Sequence, residues 1–411
     1  MIFNRNILKL ASVALWLIYL DARAETLGQL TTEAQRNNRE LRVLEANIAS
    51  AKGGVATAKT FANPELNAAP GFRRTVIDNG SIKEFHGEFG LNQLFKFPGK
   101  RALEIAIARH GVQASELALE AFRFQIAAKV RRTFCEMLAA QKTIGVRKEQ
   151  IESAKVFAES ARKRAEGGFA GDFEIIKSQA ELISANKALS EAESRVVTAR
   201  VTLNTLLGRS PSAPIEISGT LEKIAPRGTE GDFLALALAR NPAIRAQELQ
   251  AERAGLSLRA TRFGRRPDFA IGPSVEYLKD EQTYGVGVTV ALPLWDQKKG
   301  EIQTAMAEQQ KALAELEKVR LEVRGEVAKS AEALRIASSQ LALYSPVFLE
   351  KLKAFVQQAE QGYAQNATTL IIYLDAKRTY FEASSDYYEA LTKVAEGRAD
   401  LESAVGIPID L

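Results

Sequence analysis

Apolar residues follow two different periods along this chain. In residues 83–97, Phe85 and Phe89 lie on one side while His86 and Glu88 lie on the other. A period of two over about ten residues predicts a β-strand with one apolar and one polar face. The same pattern predicts further strands at residues 65–75, 268–278 and 283–294.

Turn-forming residues group these strands into pairs. The first pair is joined across Asp78-Asn79-Gly80-Ser81, and the second across Lys279-Asp280-Glu281. Gly, Asn and Asp tolerate the backbone conformations of tight turns. The sequence therefore predicts two antiparallel strand pairs.

The second period is seven residues and belongs to long helices. Residues 99–164 contain no proline, which predicts a single helix of roughly 100 Å. Another long helix is predicted from about Gln297 to Glu360, with a kink at Pro346. A sustained seven-residue period predicts coiled-coil packing, and Gly-rich breaks predict antiparallel hairpins. The stripes are Ile105, Val112, Leu119, Ile126; Met306, Leu313, Val327, Leu334, Leu341, Phe348; Ile175, Leu182, Leu189, Val196, Leu203; and Tyr373, Tyr380, Tyr387, Val394, Leu401.

Three ordered similarities indicate an internal duplication. Each similarity joins an earlier to a later segment: Asn38–Leu66 to Asn241–Phe269, Gly167–Ala180 to Gln361–Ala376, and Leu203–Pro211 to Leu401–Ile409. Each half is predicted to contain a helix, two strands and a long helical hairpin. The leading helices are expected at residues 26–60 and 231–262.

The predicted boundaries follow from this duplication. The first repeat covers residues 25–210, and the second covers 231–411 with a C-terminal segment. The connector, residues 211–230, is rich in Pro, Gly and Ser and is predicted to have little regular structure.

The N-terminal residues 1–24 have the pattern of a cleaved signal peptide. Arg5 and Lys9 precede a short apolar run, which ends before Ala22-Arg23-Ala24. The alternative is a membrane anchor, but the run is shorter than the ~20 residues that span a bilayer. Since no cysteine lies near Glu25, the mature chain is not expected to be lipid-anchored through an N-terminal Cys.

Composition narrows the class of protein. The 411 residues include 55 Lys and Arg against 50 Asp and Glu, a net charge of +5. Without a basic run interleaved with aromatic residues, nucleic acid is not an expected partner. Cys135 is the only cysteine, so no intrachain disulfide can form.

No enzyme signature is found. Residues 167–171 are Gly-rich, but they join two predicted helices and do not follow a strand, unlike a phosphate-binding loop. His86 and His110 are the only histidines, which argues against a histidine zinc cluster and most catalytic triads. We therefore expect no catalytic residues, cofactor or resident metal.

The strands leave two interpretations open. They could form an ordinary antiparallel sheet packed on one face. If they lie in lipid instead, four strands from one chain leave unpaired edges, so several chains must pool their strands. Residues 293–300 would then mark the boundary between a lipid-facing strand and a water-facing helix.

Three motifs resemble the outer-membrane factors, the TolC-like family of export ducts. They are ANPEL at Ala62–Leu66, LPLWDQKKGEI at Leu292–Ile302 and GYAQNATTLIIYLDA at Gly362–Ala376. The resemblance covers essentially the whole mature chain. The PLWDQKKGEI form is most similar to members that serve heavy-metal cation efflux.

The resemblance implies a mostly α-helical fold with a membrane β-barrel. Three identical chains would contribute four strands each to one twelve-stranded barrel, continued by a long α-helical coiled-coil barrel. The connector would lie in the equatorial region. The expected partners are a periplasmic adaptor, a proton-driven inner-membrane pump and outer-membrane lipid. The protein would lie in the outer membrane of a Gram-negative bacterium and extend into the periplasm.

The resemblance also implies roles at the two hairpin turns. Asp375 matches one position of an acidic ring in the lumen, and Ile372 occupies the other. Tyr363 matches a tyrosine that holds family members closed, while Thr368 replaces its arginine partner. Asp375 could instead be a solvated helix residue, and Gly171 and Asn366 could be simple turn formers. The residues implied at the adaptor-contacting tip are Gly168, Gly171, Asp172, Gly362 and Asn366.

Two other functions stay open from sequence. An exit duct for polypeptides secreted by a type I system would share the fold and the tip. A periplasmic coiled-coil scaffold or adaptor is a further alternative, although adaptors have one helical hairpin and this chain is predicted to have two.

Overall fold

A computed structural model describes residues 24–78, 80–169, 171–221, 228–278 and 281–409. The predicted signal peptide lies outside the described residues, except for Ala24. In chain order the helices are α1 Leu27–Asn37, α2 Arg39–Lys59, α3 Lys100–Glu166, α4 Asp172–Leu207, α5 Glu230–Arg240, α6 Pro242–Phe263, α7 Lys299–Ala342, α8 Pro346–Ala364 and α9 Leu370–Val405. The strands are β1 Glu65–Ile77, β2 Gly80–Phe95, β3 Phe269–Leu278 and β4 Glu281–Val290.

Backbone contacts divide the chain into two compact units. The sheet unit consists of Val43–Glu120 and Pro242–Leu321. The hairpin unit consists of the chain up to Arg42, Ala121–Asn241 and the chain from Glu322 onwards. Each unit draws on both predicted repeats, so the repeats are not separate compact domains.

Both predicted leading helices are interrupted by an asparagine. Asn38 separates α1 from α2 and has ψ 129°, and Asn241 separates α5 from α6 with ψ 121°. The side chain of Asn38 accepts a hydrogen bond from the Glu40 amide, and Pro242 disfavours a helical residue before it. The two side chains make matching contacts, since Asn38 donates to the Leu206 carbonyl and Asn241 to that of Ala404.

The prediction of a kink at Pro346 is wrong, because the helix breaks there. α7 ends at Ala342, and Ser345 caps α8 by accepting a hydrogen bond from the Phe348 amide at 3.1 Å. Proline lacks the N–H that a continuous helix would need, and it suits the first position of a new helix.

The predicted heptad stripes are buried to different degrees. In α9, Tyr373, Val394 and Leu401 are buried as predicted. In α7, Val327 and Leu334 are buried, while Met306 and Leu313 are exposed, as is Phe348 in α8. The deeper stripe of α4 consists of small residues offset from the predicted leucines: Ser178, Ala185, Ala192 and Ala199.

The four strands form one antiparallel sheet in the order β1-β2-β3-β4. The predicted pairs are therefore joined to each other through β2 and β3. Gly272 allows this close approach, since a Cβ there would lie 1.5 Å from the carbonyl oxygen of Leu91. Phe89 lies opposite Val275, and Ile271 lies opposite Val288.

This register confirms the predicted alternation and extends it across the sheet. One face is predominantly apolar and carries Leu66, Phe72, Val76, Phe85, Phe89, Leu91, Phe95, Phe269, Ile271, Val275, Tyr277, Tyr284, Val286, Val288 and Val290. The opposite face is predominantly polar or small, with residues such as Asn67, Arg73, Glu84, His86, Glu88, Asn92, Ser274, Glu276 and Thr283.

Two apolar clusters join helices among the described residues of the hairpin unit. One joins α5, α7 and α9 through residues such as Phe233, Val327 and Leu401. The other joins α3, α8 and α9 near the hairpin turns through Phe157, Tyr363 and Tyr373. Within the described part of the chain, no helix combines the length and the apolar character that a membrane-spanning helix needs.

Candidate functional site

Two tight turns connect the long helices of the hairpin unit. In the first, Gly168 has φ +75°, and the amide of Phe169 donates to the carbonyl of Arg164 at 2.8 Å. In the second, Asn366 has φ +60°, a conformation that Asn tolerates better than most residues. The predicted turn residue Gly171 has φ −96° and caps α4, and among the described residues of the first turn Gly168 is the left-handed one.

Gly362 closes the second turn by close approach. The amides of Ala367 and Thr368 both donate to its carbonyl oxygen, at 2.7 and 3.1 Å. A Cβ at Gly362 would lie 2.3 Å from Oγ1 of Thr368. Thr368 therefore packs against Gly362 and shapes the turn.

Arg164 links the two turns. Its guanidinium donates to the carbonyl oxygen of Tyr363 at 3.1 Å, to Oδ1 of Asn366 and to the carbonyl oxygen of Phe169 at 3.4 Å. Its Nε lies 3.4 Å from a carboxylate oxygen of Glu174, in an ion pair whose side chains are 16% and 18% exposed. Arg164, near the end of α3, thus forms hydrogen bonds with both hairpin turns of the chain.

Tyr363 lies at the centre of this contact and is only 1% exposed. Its hydroxyl donates to Glu174 at 2.5 Å, and the guanidinium carbon of Arg164 lies 4.5 Å from its ring centroid. Burial, then the bond to the Glu174 carboxylate, raises the pKa of Tyr363 above its usual range. Tyr363 is therefore a neutral hydrogen-bond donor. We call Arg164, Glu174, Tyr363 and Asn366 the turn cluster.

An aromatic layer supports the turn cluster. The rings of Tyr363 and Tyr373 stack at 5.2 Å, and Phe157 packs edge-on against both. The hydroxyl of Tyr373 donates to Glu360 at 3.2 Å. Such contacts between α3, α8 and α9 fix the position of Tyr363.

Lys377 is buried beneath this layer. Its Nζ lies 5.2 Å from the ring centroid of Tyr373 and 5.6 Å from that of Phe157. Burial lowers the pKa of Lys377 to about 8, although Glu360 and Glu181 oppose this shift. Protonation of this buried amine is therefore unfavourable.

Asp375 and Ile372 lie apart from the turn cluster on exposed positions of α9. Asp375 accepts a hydrogen bond from Arg378 at 2.8 Å, and both side chains are more than half exposed. Ile372 is 49% exposed. The predicted residues thus fall into two groups: Tyr363 and Asn366 meet through Arg164, while Asp375 and Ile372 do not join them.

Sequence reasoning missed Arg164, Glu174 and Lys377. Arg164 and Glu174 lie in the helical turns that flank the first Gly-rich break, where charged residues could have been matched to Tyr363 across the break. Lys377 lies four residues after Tyr373 and three before Tyr380, on the buried side of the predicted stripe. A lysine at a core position of a heptad was the available signal.

The groups of this site serve to hold two parts of the chain together. Its groups hold two hairpin turns together through a charged pair, two backbone carbonyls and stacked rings. Among the described residues, no group of three His, Cys, Asp or Glu side chains is arranged to hold a metal ion.

Comparison with known proteins identifies the family. The family model for outer membrane efflux proteins matches residues 30–209 and 233–407. The cobalt-zinc-cadmium resistance protein CzcC of Cupriavidus metallidurans is 22% identical over 93% of this chain and 91% of its own length. The nickel-cobalt-cadmium resistance protein NccC of Alcaligenes xylosoxydans xylosoxydans is 25% identical over 73% of this chain and 66% of its own.

Solved structures agree on the fold. The outer membrane protein VceC of Vibrio cholerae superposes with a TM-score of 0.76 at 17% identity, over 96% of this chain and 98% of its own. The resemblance predicted from the three sequence motifs is confirmed, and the adaptor alternative loses its support because another family matches. The chain belongs to the outer membrane efflux protein family.

Proposed function

We propose that the chain is the outer-membrane exit duct of a tripartite efflux system in a Gram-negative bacterium. Three copies form a passive channel that receives solutes from a proton-driven inner-membrane pump through a periplasmic adaptor. The pump supplies the energy and the choice of cargo. The signal peptide directs the chain across the inner membrane and is removed.

The sheet carries this proposal. Its apolar face is open, with Phe72 70% and Val286 72% exposed, and among the described residues β1 and β4 each pair on one side only. An exposed apolar face is unfavourable in water, and unpaired strand edges are unfavourable in lipid. Three such sheets pooled into a twelve-stranded barrel would pair every edge and turn the apolar faces to lipid.

The turn cluster is the proposed gate. Arg164 holds the two hairpins of one chain together, so its release would let them separate. Gly168, Gly171, Asp172 and Asn366 are exposed around the turns, and Gly362 is half-buried. We assign adaptor contact to these five residues, since a partner bound there could pull the turns apart.

Asp375 is the proposed lumenal carboxylate. Three copies would form a ring that favours cations, weakened by Arg378, which pairs with each carboxylate. The partly compensated ring suits a duct that passes cations without holding them.

Heavy-metal cations are the proposed cargo. This assignment rests on the similarity to CzcC and NccC, which are cobalt-zinc-cadmium and nickel-cobalt-cadmium resistance proteins. Loss of the gene should therefore lower tolerance to such ions and leave polypeptide secretion intact. Loss of secretion with unchanged metal tolerance would favour the polypeptide duct.

Single-channel recording in planar bilayers tests the proposal. We expect cation-selective channels from the purified chain, and a smaller preference for K⁺ over Cl⁻ in Asp375→Asn. Arg378→Gln is the matched variant and should raise that preference. A channel with unchanged selectivity in both variants would discard the ring, and the absence of any channel would overturn the duct.

A further inference from the structure

The connections between strands and helices lie together at one end of the sheet. Phe269 pairs with both Phe95 and Val290, and Glu65 pairs with Asn92. The start of β1, the end of β2, the start of β3 and the end of β4 are therefore neighbours. We call these connections, with the helix ends beside them, the junction: residues 59–64, 96–101, 264–268 and 291–299.

Positive charge is concentrated at the junction. It holds eight basic side chains against two carboxylates, an excess of six, while the whole chain has a net charge of +5. The charged residues of the junction are Lys59, Lys96, Lys100, Arg101, Arg265, Arg266, Lys298, Lys299, Asp268 and Asp296.

Three of these cations are neutralised locally by a carboxylate. Lys100 lies 2.8 Å from Asp268, and two further lysines pair with glutamates of the adjoining helices. These pairs are Lys96 with Glu104 and Lys298 with Glu301. Among the described residues, the other five cations have no carboxylate partner.

The five uncompensated cations are Lys59, Arg101, Arg265, Arg266 and Lys299. The arginines are held by aromatic rings or by the backbone. Arg266 lies 4.2 Å from the ring centroid of Phe263, and Arg101 lies 3.9 Å from that of Phe61. Arg265 donates to the Gln297 carbonyl at 2.9 Å. These contacts fix the position of the three arginine side chains without neutralising their charge. The charge can therefore interact with a partner outside the chain.

An exposed apolar segment adjoins these cations. Trp295 is 91% exposed, and Leu292 and Leu294 are 66% and 64% exposed. They continue from the apolar residues of β4, and Gln297, which binds Arg265, follows two residues after Trp295. Along the chain, the order is therefore apolar strand, tryptophan, cations. Tryptophan prefers the boundary between hydrocarbon and headgroups.

We infer that the junction binds the phosphate groups of anionic phospholipids in the inner leaflet of the outer membrane. The inference rests on the proposed function, since it requires the strands to lie in lipid. Trp295 lies at the level of the headgroups, and the five uncompensated cations attract negative lipids. Arginine forks bind phosphate through two parallel hydrogen bonds. A zwitterionic lipid would leave the excess of positive charge without a partner.

The fluorescence of Trp295 tests this inference directly. The sequence has two tryptophans, Trp16 and Trp295, and Trp16 is removed with the signal peptide, so Trp295 is the only tryptophan of the mature chain. The full chain is reconstituted in phosphatidylcholine nanodiscs that contain a minor fraction of phosphatidylglycerol. Bromine is placed on the acyl chains of one lipid or the other, at equal amounts. We expect brominated phosphatidylglycerol to quench roughly twofold more strongly, because it is enriched beside Trp295.

A charge variant and a matched control show whether the junction cations cause the preference for phosphatidylglycerol. Lys59→Gln/Arg265→Gln/Lys299→Gln should abolish most of the preference while keeping the arginines that stack on rings. The control is Lys129→Gln/Lys148→Gln/Lys351→Gln, three exposed lysines of the hairpin unit. It should keep the preference. High salt should reduce the preference in the unmodified chain.

The outcomes distinguish the inference from the proposed function. Equal quenching by the two brominated lipids, or the same loss of preference in both triple variants, would overturn the inference alone. If no brominated lipid quenches Trp295, the chain does not place this region in a bilayer. The proposed function then fails, and the inference fails with it.

Discussion

An arginine stacks on aromatic rings both in the turn cluster and at the junction, but the two arginines serve different purposes. In the turn cluster Arg164 stacks on Tyr363, is 16% exposed and has Glu174 as its carboxylate partner. At the junction Arg266 stacks on Phe97 and Phe263, is exposed and has no carboxylate partner among the described residues. The stacking holds an arginine in both regions. The counter-charge decides whether the arginine binds its own chain or something else.

The largest effect is expected from Arg164→Ala. This change removes all the hydrogen bonds by which Arg164 joins the two turns. It also leaves the poorly solvated Glu174 carboxylate without its ion-pair partner, so the free energy of unfolding should fall by about 3 kcal/mol. We expect the hairpins to separate and single-channel conductance to rise severalfold. The control is Arg162→Ala, because Arg162 is 63% exposed and pairs only within its own helix among the described residues. Equal conductance in the two variants would show that Arg164 does not hold the gate.

Lys377→Met should change the pH dependence of stability. Since the pKa of Lys377 falls from 10.5 to about 8 on folding, the unfolded chain binds more protons between these values, and stability rises with pH across that window. Below pH 8 the folded chain bears the full cost of the buried charge, about 3 kcal/mol. Lys377→Met removes this cost, so its unfolding temperature should exceed the parent's at pH 7, and the difference should become small near pH 10.

Lys351→Met is the control for that experiment, since Lys351 is exposed on α8. It should leave the unfolding temperature unchanged at both pH values. A parent chain whose stability does not increase between pH 8 and pH 10 would contradict the assigned role of Lys377.

Gly362→Ala tests the close approach that shapes the second turn. The new Cβ would meet Oγ1 of Thr368 at 2.3 Å, so we expect a loss of about 1–3 kcal/mol and a less firmly closed tip. Gly171→Ala should be nearly neutral, because nothing lies within 4 Å of its Cβ position. Adding Thr368→Ala to Gly362→Ala should restore part of the stability. Equal unfolding temperatures for the two glycine variants would contradict the geometry of the turn.

The smallest effect is expected at the junction itself. Lys299→Gln removes a charge that no carboxylate of the described residues meets, so the unfolding temperature in neutral detergent should not move measurably. In mixed nanodiscs the same variant should weaken the preference for phosphatidylglycerol. A large loss of stability in detergent would show that Lys299 serves the fold, which would remove the contrast between the two regions.

Much of the fold follows from local periodicity. The alternation of Phe85 and Phe89 with His86 and Glu88 predicts the strand and its two faces, because side-chain direction in a strand has a fixed period. The pairing of β2 with β3 was not predictable, since it joins residues far apart in sequence. The break at Pro346 follows from proline chemistry, but choosing between a kink and a break depends on whether Ser345 caps a new helix, as it does here.

The site was less accessible to sequence reasoning. Tyr363 and Asn366 were found because they lie in a motif with a family resemblance. Arg164 and Glu174 lie about 200 positions earlier and meet Tyr363 only after both hairpins form. Lys377 is likewise buried against rings from two helices, Phe157 of α3 and Tyr373 of α9. Contacts between distant segments carry no local pattern, which explains why the key charged partners were missed.

The mass of the native complex tests the central claim most directly. The full chain should be extracted from the outer-membrane fraction in mild detergent and weighed intact by native mass spectrometry. The account predicts a complex of three chains, since three four-stranded sheets are needed to close a twelve-stranded barrel. A stable single chain, found in the soluble periplasmic fraction, would contradict it and return the strands to an ordinary sheet.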